Sequence, residues 1–300
     1  MRRTLVLLLA AALGTAACDD DTVEPTMETL DLSFTGLEPL ANGFHYEGWA
    51  IIDGQPVTTG KFNVDAGGGL VTVAGAAIPG GSFETGVDLS GTEAIVLTIE
   101  PSGDTDDIPA DTHVLAGTVS GGTADLVAGH AAALGDDFLA ATGSYILATP
   151  TNGDMSEENS GIWFLSLAGG SPAVGLDLPT LPAGWAYEGW AVIGGTPVTT
   201  GRFTDPAAAD DAAPFSGAMA GPPFPGEDFL ENAPAGLTFP TDLAGGLAVI
   251  SIEPEPDDSD APYTFKPLMG GIDAAATDHT TYSIPNMTTA TFPTGTATIR

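Results

Sequence analysis

The chain has 300 residues and carries 40 Asp and Glu against only six Lys and Arg, which gives a formal net charge of −34. This balance excludes nucleic acid as a partner, because a phosphate backbone requires a basic footprint on the protein. A hydrophobic content of 43% is too high for a disordered chain, and the length favours two domains of ordinary size. We therefore expect a folded, acidic protein.

The first residues predict a lipoprotein signal peptide over residues 1–17. Two arginines precede an apolar stretch, Leu5 to Leu13, that is too short to span a bilayer. Small residues then lead to Cys18, the only cysteine of the chain, at the position that the bacterial lipoprotein pathway acylates. An ordinary secretory signal followed by a chance cysteine is the alternative. We expect Cys18 to carry lipid and anchor the protein to a membrane of the cell envelope on its non-cytoplasmic side, with residues 18–28 as an acidic tether.

Short predicted strands separated by Gly, Pro and Asp turns follow the tether. The strands are Thr29 to Phe34, Phe44 to Ile52, Gly69 to Ala74, Glu93 to Glu100, His113 to Val119, Ser144 to Thr149 and Gly161 to Leu167. Residues Ala124 to Leu139 are the best candidate for a helix. The pattern predicts an all-β fold of two tandem β-sandwich (immunoglobulin-like) domains. Their predicted limits are residues 29–168, with an extra hairpin at the end, and residues 173–300.

A sequence repeat supports two related units. Tyr46 to Ile52 reappears as Tyr187 to Ile193, and both copies continue into Gly-x-Pro-Val-Thr-Thr-Gly, a cation and Phe. Further on, Ala94 to Pro101 corresponds to Leu247 to Pro254, and each ends in Glu-Pro before an acidic loop and Leu-x-Gly. Two matches in the same order indicate a duplication. The equivalent motif residues are Tyr46, Trp49, Phe62 and Glu100 in the first copy and Tyr187, Trp190, Phe203 and Glu253 in the second.

Each repeat opens with a predicted hairpin. Large and small residues alternate in Tyr-Glu-Gly-Trp-Ala as they do in a half-buried strand, and Asp53-Gly54 or Gly194-Gly195 supplies a tight turn. We expect Trp49 and Trp190 to lie in the sandwich core, the alternative being a platform for a ligand.

The glutamates of the same strands, Glu47 and Glu188, alternate with the aromatic residues. Each either faces solvent or pairs across the hairpin with the cation of the second strand, Lys61 or Arg202. Folding explains this part of the repeat better than chemistry does.

These motifs resemble the extracytoplasmic C-terminal domain of anti-sigma-K factors of the RskA type. That family is similar in its aromatic-Glu-x-Trp strand, its Pro-Val-x-x-Gly-x-Phe hairpin, its strand ending in Glu-Pro and its closing Leu-x-Gly, and the ordered set occurs here twice, over residues 46–117 and 187–270. The resemblance implies a similar fold and a role as an envelope-side sensing or interaction module. A signal peptide stands where the family has a sigma-binding segment and a transmembrane helix, so we do not expect sequestration of a sigma factor.

The acidic loops after each Glu-Pro pair are the candidate metal sites. The carboxylates concerned are Asp104, Asp106 and Asp107 in the first loop and Asp257, Asp258 and Asp260 in the second. Clustered carboxylates can supply the six to eight oxygens that Ca²⁺ takes. Neither loop has the distal Glu and fixed Gly of a calcium loop, so a solvated turn is the alternative. Calcium is the one cofactor that the sequence suggests.

No catalytic constellation is predicted. The four histidines are scattered without the spacing of metal ligands, and no nucleophile elbow or phosphate loop occurs in a strand-to-helix context. We expect a non-catalytic binding protein whose envelope partner the sequence does not identify. A structural or calcium-stiffened spacer of the envelope is the alternative, and an extracellular hydrolase is a third hypothesis.

Overall fold

The computed structural model describes residues 28–154 and 156–300, so the predicted signal peptide, Cys18 and nearly all of the predicted tether lie outside the described residues. Most regular structure is antiparallel strand, and the predicted all-β fold is confirmed. The strands are β1 (Thr29–Thr35), β2 (His45–Ile52), β3 (Gln55–Val64), β4 (Leu70–Val71), β5 (Ser82–Glu84), β6 (Thr92–Glu100), β7 (His113–Thr118), β8 (Thr123–Val127), β9 (Thr142–Leu147), β10 (Gly161–Trp163), β11 (Leu165–Ser166), β12 (Ala173–Val174), β13 (Leu176–Asp177), β14 (Trp185–Ile193), β15 (Thr196–Phe203), β16 (Gly226–Asp228), β17 (Leu247–Pro254), β18 (Leu268–Gly271), β19 (Tyr282–Ile284) and β20 (Thr294–Ile299).

Helical structure is limited to short turns. One α-helix of four residues, α1 (Thr288–Thr291), and two 3₁₀ turns, Pro79–Gly81 and Glu158–Ser160, occur in the described part of the chain. Within residues 28–154 and 156–300, no helix has the length and apolar character needed to cross a membrane.

The largest sheet has nine strands in the order β4-β3-β2-β6-β7-β8-β20-β1-β5. Its strand β20 comes from the far end of the chain and lies between β8 and β1, pairing antiparallel with both. The sheet curls until its two ends approach each other, since the rings of Phe62 on β3 and Phe83 on β5 have centroids 5.6 Å apart. The sheet of the first repeat is therefore completed by residues that follow the second repeat.

Both repeats form the predicted hairpin in the same register. The matched cross-strand pairs are Tyr46–Phe62 and Tyr187–Phe203, then Glu47–Lys61 and Glu188–Arg202. A register shift follows Gly48 in one hairpin and Gly189 in the other, so that each second strand carries an extra bulged residue. The first turn uses Asp53 and Gly54 at φ values of 50° and 71°, the left-handed geometry that matches the twist of a hairpin.

The remaining sheets join the two halves of the chain. The second repeat forms a four-stranded sheet, β15-β14-β17-β18. A further sheet, β13-β9-β10-β16 with β19 also paired to β9, takes strands from both sides of residues 169–172. The sheets therefore do not separate at the predicted boundary, and the division into two sandwiches stays a prediction of the sequence.

One contiguous apolar core extends through both halves. Tyr46 of β2 stacks on Phe62, and its hydroxyl lies 3.1 Å from the hydroxyl of Tyr263 in the second repeat. The second acidic loop also contacts the first repeat directly, because the Asp258 carboxylate accepts the backbone N–H of Ala41 at 2.6 Å. These contacts fix the two repeats against each other.

The helix predicted over residues 124–139 is wrong. Thr123–Val127 is strand β8, and its alternating burial places Ala124 and Leu126 in the core. Turns follow β8, and aspartate side chains close them by accepting backbone N–H groups two residues further on. The period of two in the first residues outweighs the Ala-rich composition that suggested a helix.

Candidate functional site

Each repeat turns one face of its first strand to the common core and the opposite face to a polar network. Alternation along β2 sends Tyr46 and Ala50 into the core. The opposite face, here called the first polar face, carries His45, Glu47 and Trp49. The second polar face is the corresponding surface of β14, which carries Ala186, Glu188 and Trp190.

The two tryptophans are buried within the polar faces. Trp49 Nε1 donates to Thr98 Oγ1 at 2.9 Å, and Trp190 Nε1 donates to Ser251 Oγ at 2.8 Å. Trp49 packs with a few apolar residues in a cluster separate from the main core. The rings are therefore buried as a core position requires, but they lie on the side of the sheet opposite Tyr46 and Tyr187.

Glu100 and Glu253, the glutamates of the two Glu-Pro pairs, have the same structural role in the two repeats. In each repeat a hydroxyl two residues earlier on the strand donates to the carboxyl group. Glu100 also accepts the backbone N–H of Ala110 at 3.1 Å, and Glu253 accepts that of Tyr263 at 2.9 Å. Each carboxyl thus holds the end of the acidic loop that follows it. Burial raises the pKa of Glu253 to about 8.

Glu47 and Glu188 pair with the cations across their hairpins, which is one of the two predicted alternatives. Lys61 Nζ lies 3.3 Å from Glu47 Oε2, and Arg202 Nε donates to Glu188 Oε2 at 3.1 Å. Both carboxyl groups are buried, and each accepts a threonine hydroxyl from the neighbouring strand. Desolvation raises the pKa of both glutamates in spite of the nearby cations.

The six aspartates of the acidic loops have different environments. Asp104 binds Lys61 Nζ at 2.8 Å, and Asp257 pairs with the Arg202 guanidinium. Asp258 is buried against the first repeat. The other three, Asp106, Asp107 and Asp260, are exposed. Each loop therefore brings one aspartate to the cation of its polar face, and calcium in these loops stays a prediction.

His45 is a site residue that the sequence did not single out. Its side chain is 4% exposed, and among the described residues neither of its ring nitrogens has a hydrogen-bond partner. One ligand atom from each of His45, Glu47 and Asp104 lies within 4.8 Å of the other two. Burial, followed by the charge of Lys61, lowers the pKa of His45, so the imidazole is neutral at pH 7. The available signal was the His-x-Glu spacing, which puts both side chains on one face of a strand.

The second polar face opens into a cavity of about 390 Å³. Its lining includes Glu188, Trp190, Arg202, Phe215, Asp257 and Asp260. Phe215 belongs to residues 206–240, in the middle part of the repeat that is longer in the second copy than in the first. On the first polar face, by contrast, Ala133 packs onto Trp49, and the neighbouring carbonyl of Ala132 lies 2.8 Å from His113 Nδ1. The volume on the second face is within the range of small-molecule sites.

Comparison with protein-family models, with curated proteins and with solved structures finds no match to the chain. The resemblance to anti-sigma-K factors therefore depends on the sequence motifs alone.

Proposed function

We propose that the protein is a lipid-anchored, non-catalytic binding protein of the bacterial cell envelope and that the cavity on the second polar face takes a small organic amine. The observation that carries the proposal is the combination, in one cavity of about 390 Å³, of apolar rings with an excess of carboxylates. Such a site suits a ligand with an apolar body and one positive group.

The charges around the cavity favour a cation. Glu188, Asp257 and Asp260 supply carboxylates against the single guanidinium of Arg202. Arg202 pairs with Glu188 and Asp257, whereas Asp260 lines the cavity with an exposed side chain. Desolvation raises the pKa of both Glu188 and Asp257, so a positive ligand would offset part of the cost of keeping these groups charged.

The apolar part of the lining supplies the rest of the site. Trp190 and Phe215 contribute aromatic rings, and Pro197, Val198 and Pro234 add aliphatic surface. An ammonium group near an aromatic face gains a cation–π interaction, and an apolar body of the ligand is removed from water. The strongly negative charge of the whole chain also raises the local concentration of organic cations.

The envelope location is supported by the sequence. Residues 1–17 have the pattern of a lipoprotein signal peptide, and Cys18 lies at its cleavage point. The resemblance to the extracytoplasmic domain of anti-sigma-K factors supports a sensing or interaction role. A membrane partner through lipid follows from the same features, and the net charge of −34 argues against a nucleic-acid partner.

Thermal melts and calorimetric titration of the purified protein with phenethylamine test the proposal. Phenethylamine should raise the melting temperature in proportion to its occupancy, since a ligand bound only by the native state stabilises it. 3-Phenylpropionate, of similar size but opposite charge, should not. Asp260→Asn should weaken phenethylamine binding by about tenfold, the loss of one ligand-facing charge being worth about 1.4 kcal/mol.

The matched control is Asp107→Asn, which removes one exposed carboxylate from the other acidic loop. Its phenethylamine affinity should equal that of the unmodified protein. An equal loss of phenethylamine affinity in the two variants would show that binding depends only on the net charge of the protein. Equal binding of phenethylamine and 3-phenylpropionate would likewise reject the proposed site.

A further inference from the structure

The first polar face holds a second constellation, separate from the cavity of the second repeat. His45 and Glu47 come from adjacent same-face positions of β2, and Asp104 comes from the acidic loop after β6. One ligand atom from each lies within 4.8 Å of the other two. His45 and Glu47 are buried, and the Asp104 side chain is 11% exposed. The group is therefore preassembled by the fold near the surface.

The unpartnered imidazole is the main observation. Buried polar groups in folded proteins nearly always have a hydrogen-bond partner, because burial removes the water that would otherwise serve. In the described part of the chain, both ring nitrogens of His45 lack one. A buried imidazole whose ring nitrogens have no hydrogen-bond partner, beside two carboxylates, is a typical set of metal-binding groups.

The Lys61 ammonium shows that this position stabilises positive charge. It lies 2.8 Å from Asp104 Oδ2 and 3.3 Å from Glu47 Oε2, between two of the three ligand groups. Its side chain is 31% exposed, and the flexible lysine stem can carry the ammonium out to solvent. A metal ion would take over the charge that Lys61 now supplies to the two carboxylates and would also bind His45.

The second repeat lacks this constellation. In the shared register Ala186 stands where the first repeat has His45, since these residues lie opposite Glu253 and Glu100 respectively. Arg202, which replaces Lys61, pairs with Glu188 and Asp257 through its planar guanidinium. The imidazole is therefore a feature of the first repeat alone and is not required by the shared fold.

The donor set selects the class of metal. Calcium takes six to eight oxygen ligands, and magnesium keeps several waters, so neither gains from an imidazole. Zinc binds imidazole nitrogen and carboxylate oxygen at about 2.0–2.2 Å in a tetrahedral site. Ligand atoms at most 4.8 Å apart need only a small closure to reach that geometry. We propose that His45, Glu47 and Asp104 form a binding site for a divalent transition-metal ion, with Zn²⁺ the best fit.

Calorimetric titration of the purified, metal-stripped protein with zinc chloride at pH 7.5 tests this site. One tight site is expected, together with a rise in melting temperature that calcium chloride does not reproduce. His45→Ala should weaken zinc binding by roughly 100-fold or more, since loss of even an outer-shell partner costs about 10–100-fold. Lys61→Met should tighten it by about tenfold, because one competing positive charge is removed.

Circular dichroism establishes that each variant is folded. If His45→Ala does not fold, Asp104→Asn replaces it as the variant that removes a proposed zinc ligand, because Asp104 lies on a loop. The matched control is Asp106→Asn, an exposed neighbour in the same loop, which should bind zinc as the unmodified protein does. With Co²⁺ as the probe, a visible absorption band that requires His45 would show nitrogen coordination. Undiminished zinc binding in both His45→Ala and Asp104→Asn, or equal stabilisation by calcium and zinc, would overturn the proposal.

Discussion

The two repeats have the same strands in the same register, yet they surround their polar faces differently. In the first repeat, Trp49 donates to the hydroxyl of Thr98, which donates to the buried Glu100 at the end of β6. In the second, Trp190 donates to the hydroxyl of Ser251, which donates to the buried Glu253 on β17. Each also pairs a buried glutamate with the cation opposite it, Lys61 or Arg202. What the repeats share is a polar network that holds the hairpin, the neighbouring strand and the following loop together.

The features that bear on function lie where the repeats differ. His45 in the first repeat corresponds to Ala186 in the second. The first polar face is covered by Ala133, whereas the second is bordered by Phe215 of the segment at residues 206–240, with a cavity between. The comparison indicates that the two copies kept the polar network that stabilises the fold, while the side chains around this network diverged.

Removing the last strand should have the largest effect. Deletion of residues 293–300 takes β20 out of the sheet of the first repeat, where it joins β8 to β1 and buries Ala297. The chain is expected to lose cooperative folding at 25 °C, because two strands are left with unpaired edges inside a curled sheet and the core is shared by both repeats. Circular dichroism and urea denaturation would measure the loss.

Deletion of Arg300 alone is the matched control for the strand deletion. Its side chain is 72% exposed, so the free energy of unfolding should change by less than about 0.5 kcal/mol. If the repeats were independent domains, the strand deletion would remove only one of two unfolding transitions, and the second repeat would keep its own. That result would contradict the shared core.

The paired substitutions Trp49→Ala and Trp190→Ala should have the next largest effect, and an unequal one. Trp49 is enclosed by packed apolar side chains, so its removal should lower the free energy of unfolding by about 3–5 kcal/mol. Trp190 borders a cavity, where water and neighbouring groups can occupy the vacated space, and about 2–3 kcal/mol is expected. Urea denaturation measures both values. Equal losses would mean that the two faces are packed alike.

The sequence was sufficient to predict the hairpins because their determinants are local. Asp53-Gly54 and the alternation around Trp49 specify a turn type and a strand face within a few residues. The insertion of β20 between β8 and β1 had no such signal, since pairing between the two ends of a chain leaves no local pattern. Strand pairing between distant segments also makes the sheets cross the boundary that the sequence suggested at residues 169–172, and it too has no local signal.

The candidate sites were predictable only in part. Asp104 and Asp257 were marked by the acidic loops, but their partners are cations on hairpin strands more than 40 residues away along the chain. His45 has no metal-ligand spacing along the sequence, because strand register and a loop bring its partners to it. The cavity on the second face depends on how residues 206–240 fold back, which composition does not specify.

The smallest effect concerns Glu253 and pH. Burial raises its pKa in the folded protein to about 8, from 4.5. The folded state therefore keeps a proton that the unfolded chain releases above pH 4.5. This protonation contributes its full stabilisation of the folded state below pH 4.5, and the contribution is lost progressively as the pH rises to 8. Glu253→Gln keeps the acceptor for the Tyr263 N–H but has no proton to lose. Since one pH unit corresponds to about 1.4 kcal/mol in this range, the variant should gain about 2 kcal/mol relative to the unmodified protein between pH 5 and about pH 6.5.

Thermal and urea unfolding across this pH range would measure the gain, with Glu255→Gln as the control. Glu255 is half exposed, so its substitution reports only the removal of one surface charge from a very acidic protein. Glu38, Asp210 and Glu227 also have pKa values raised by burial to about 7, so the unmodified protein should be more stable at pH 5 than at pH 8. A pH dependence identical in Glu253→Gln and the unmodified protein would mean that Glu253 is ionised in the folded state. The hydroxyl of Ser251 and the backbone N–H of Tyr263 would then stabilise a buried negative charge on Glu253.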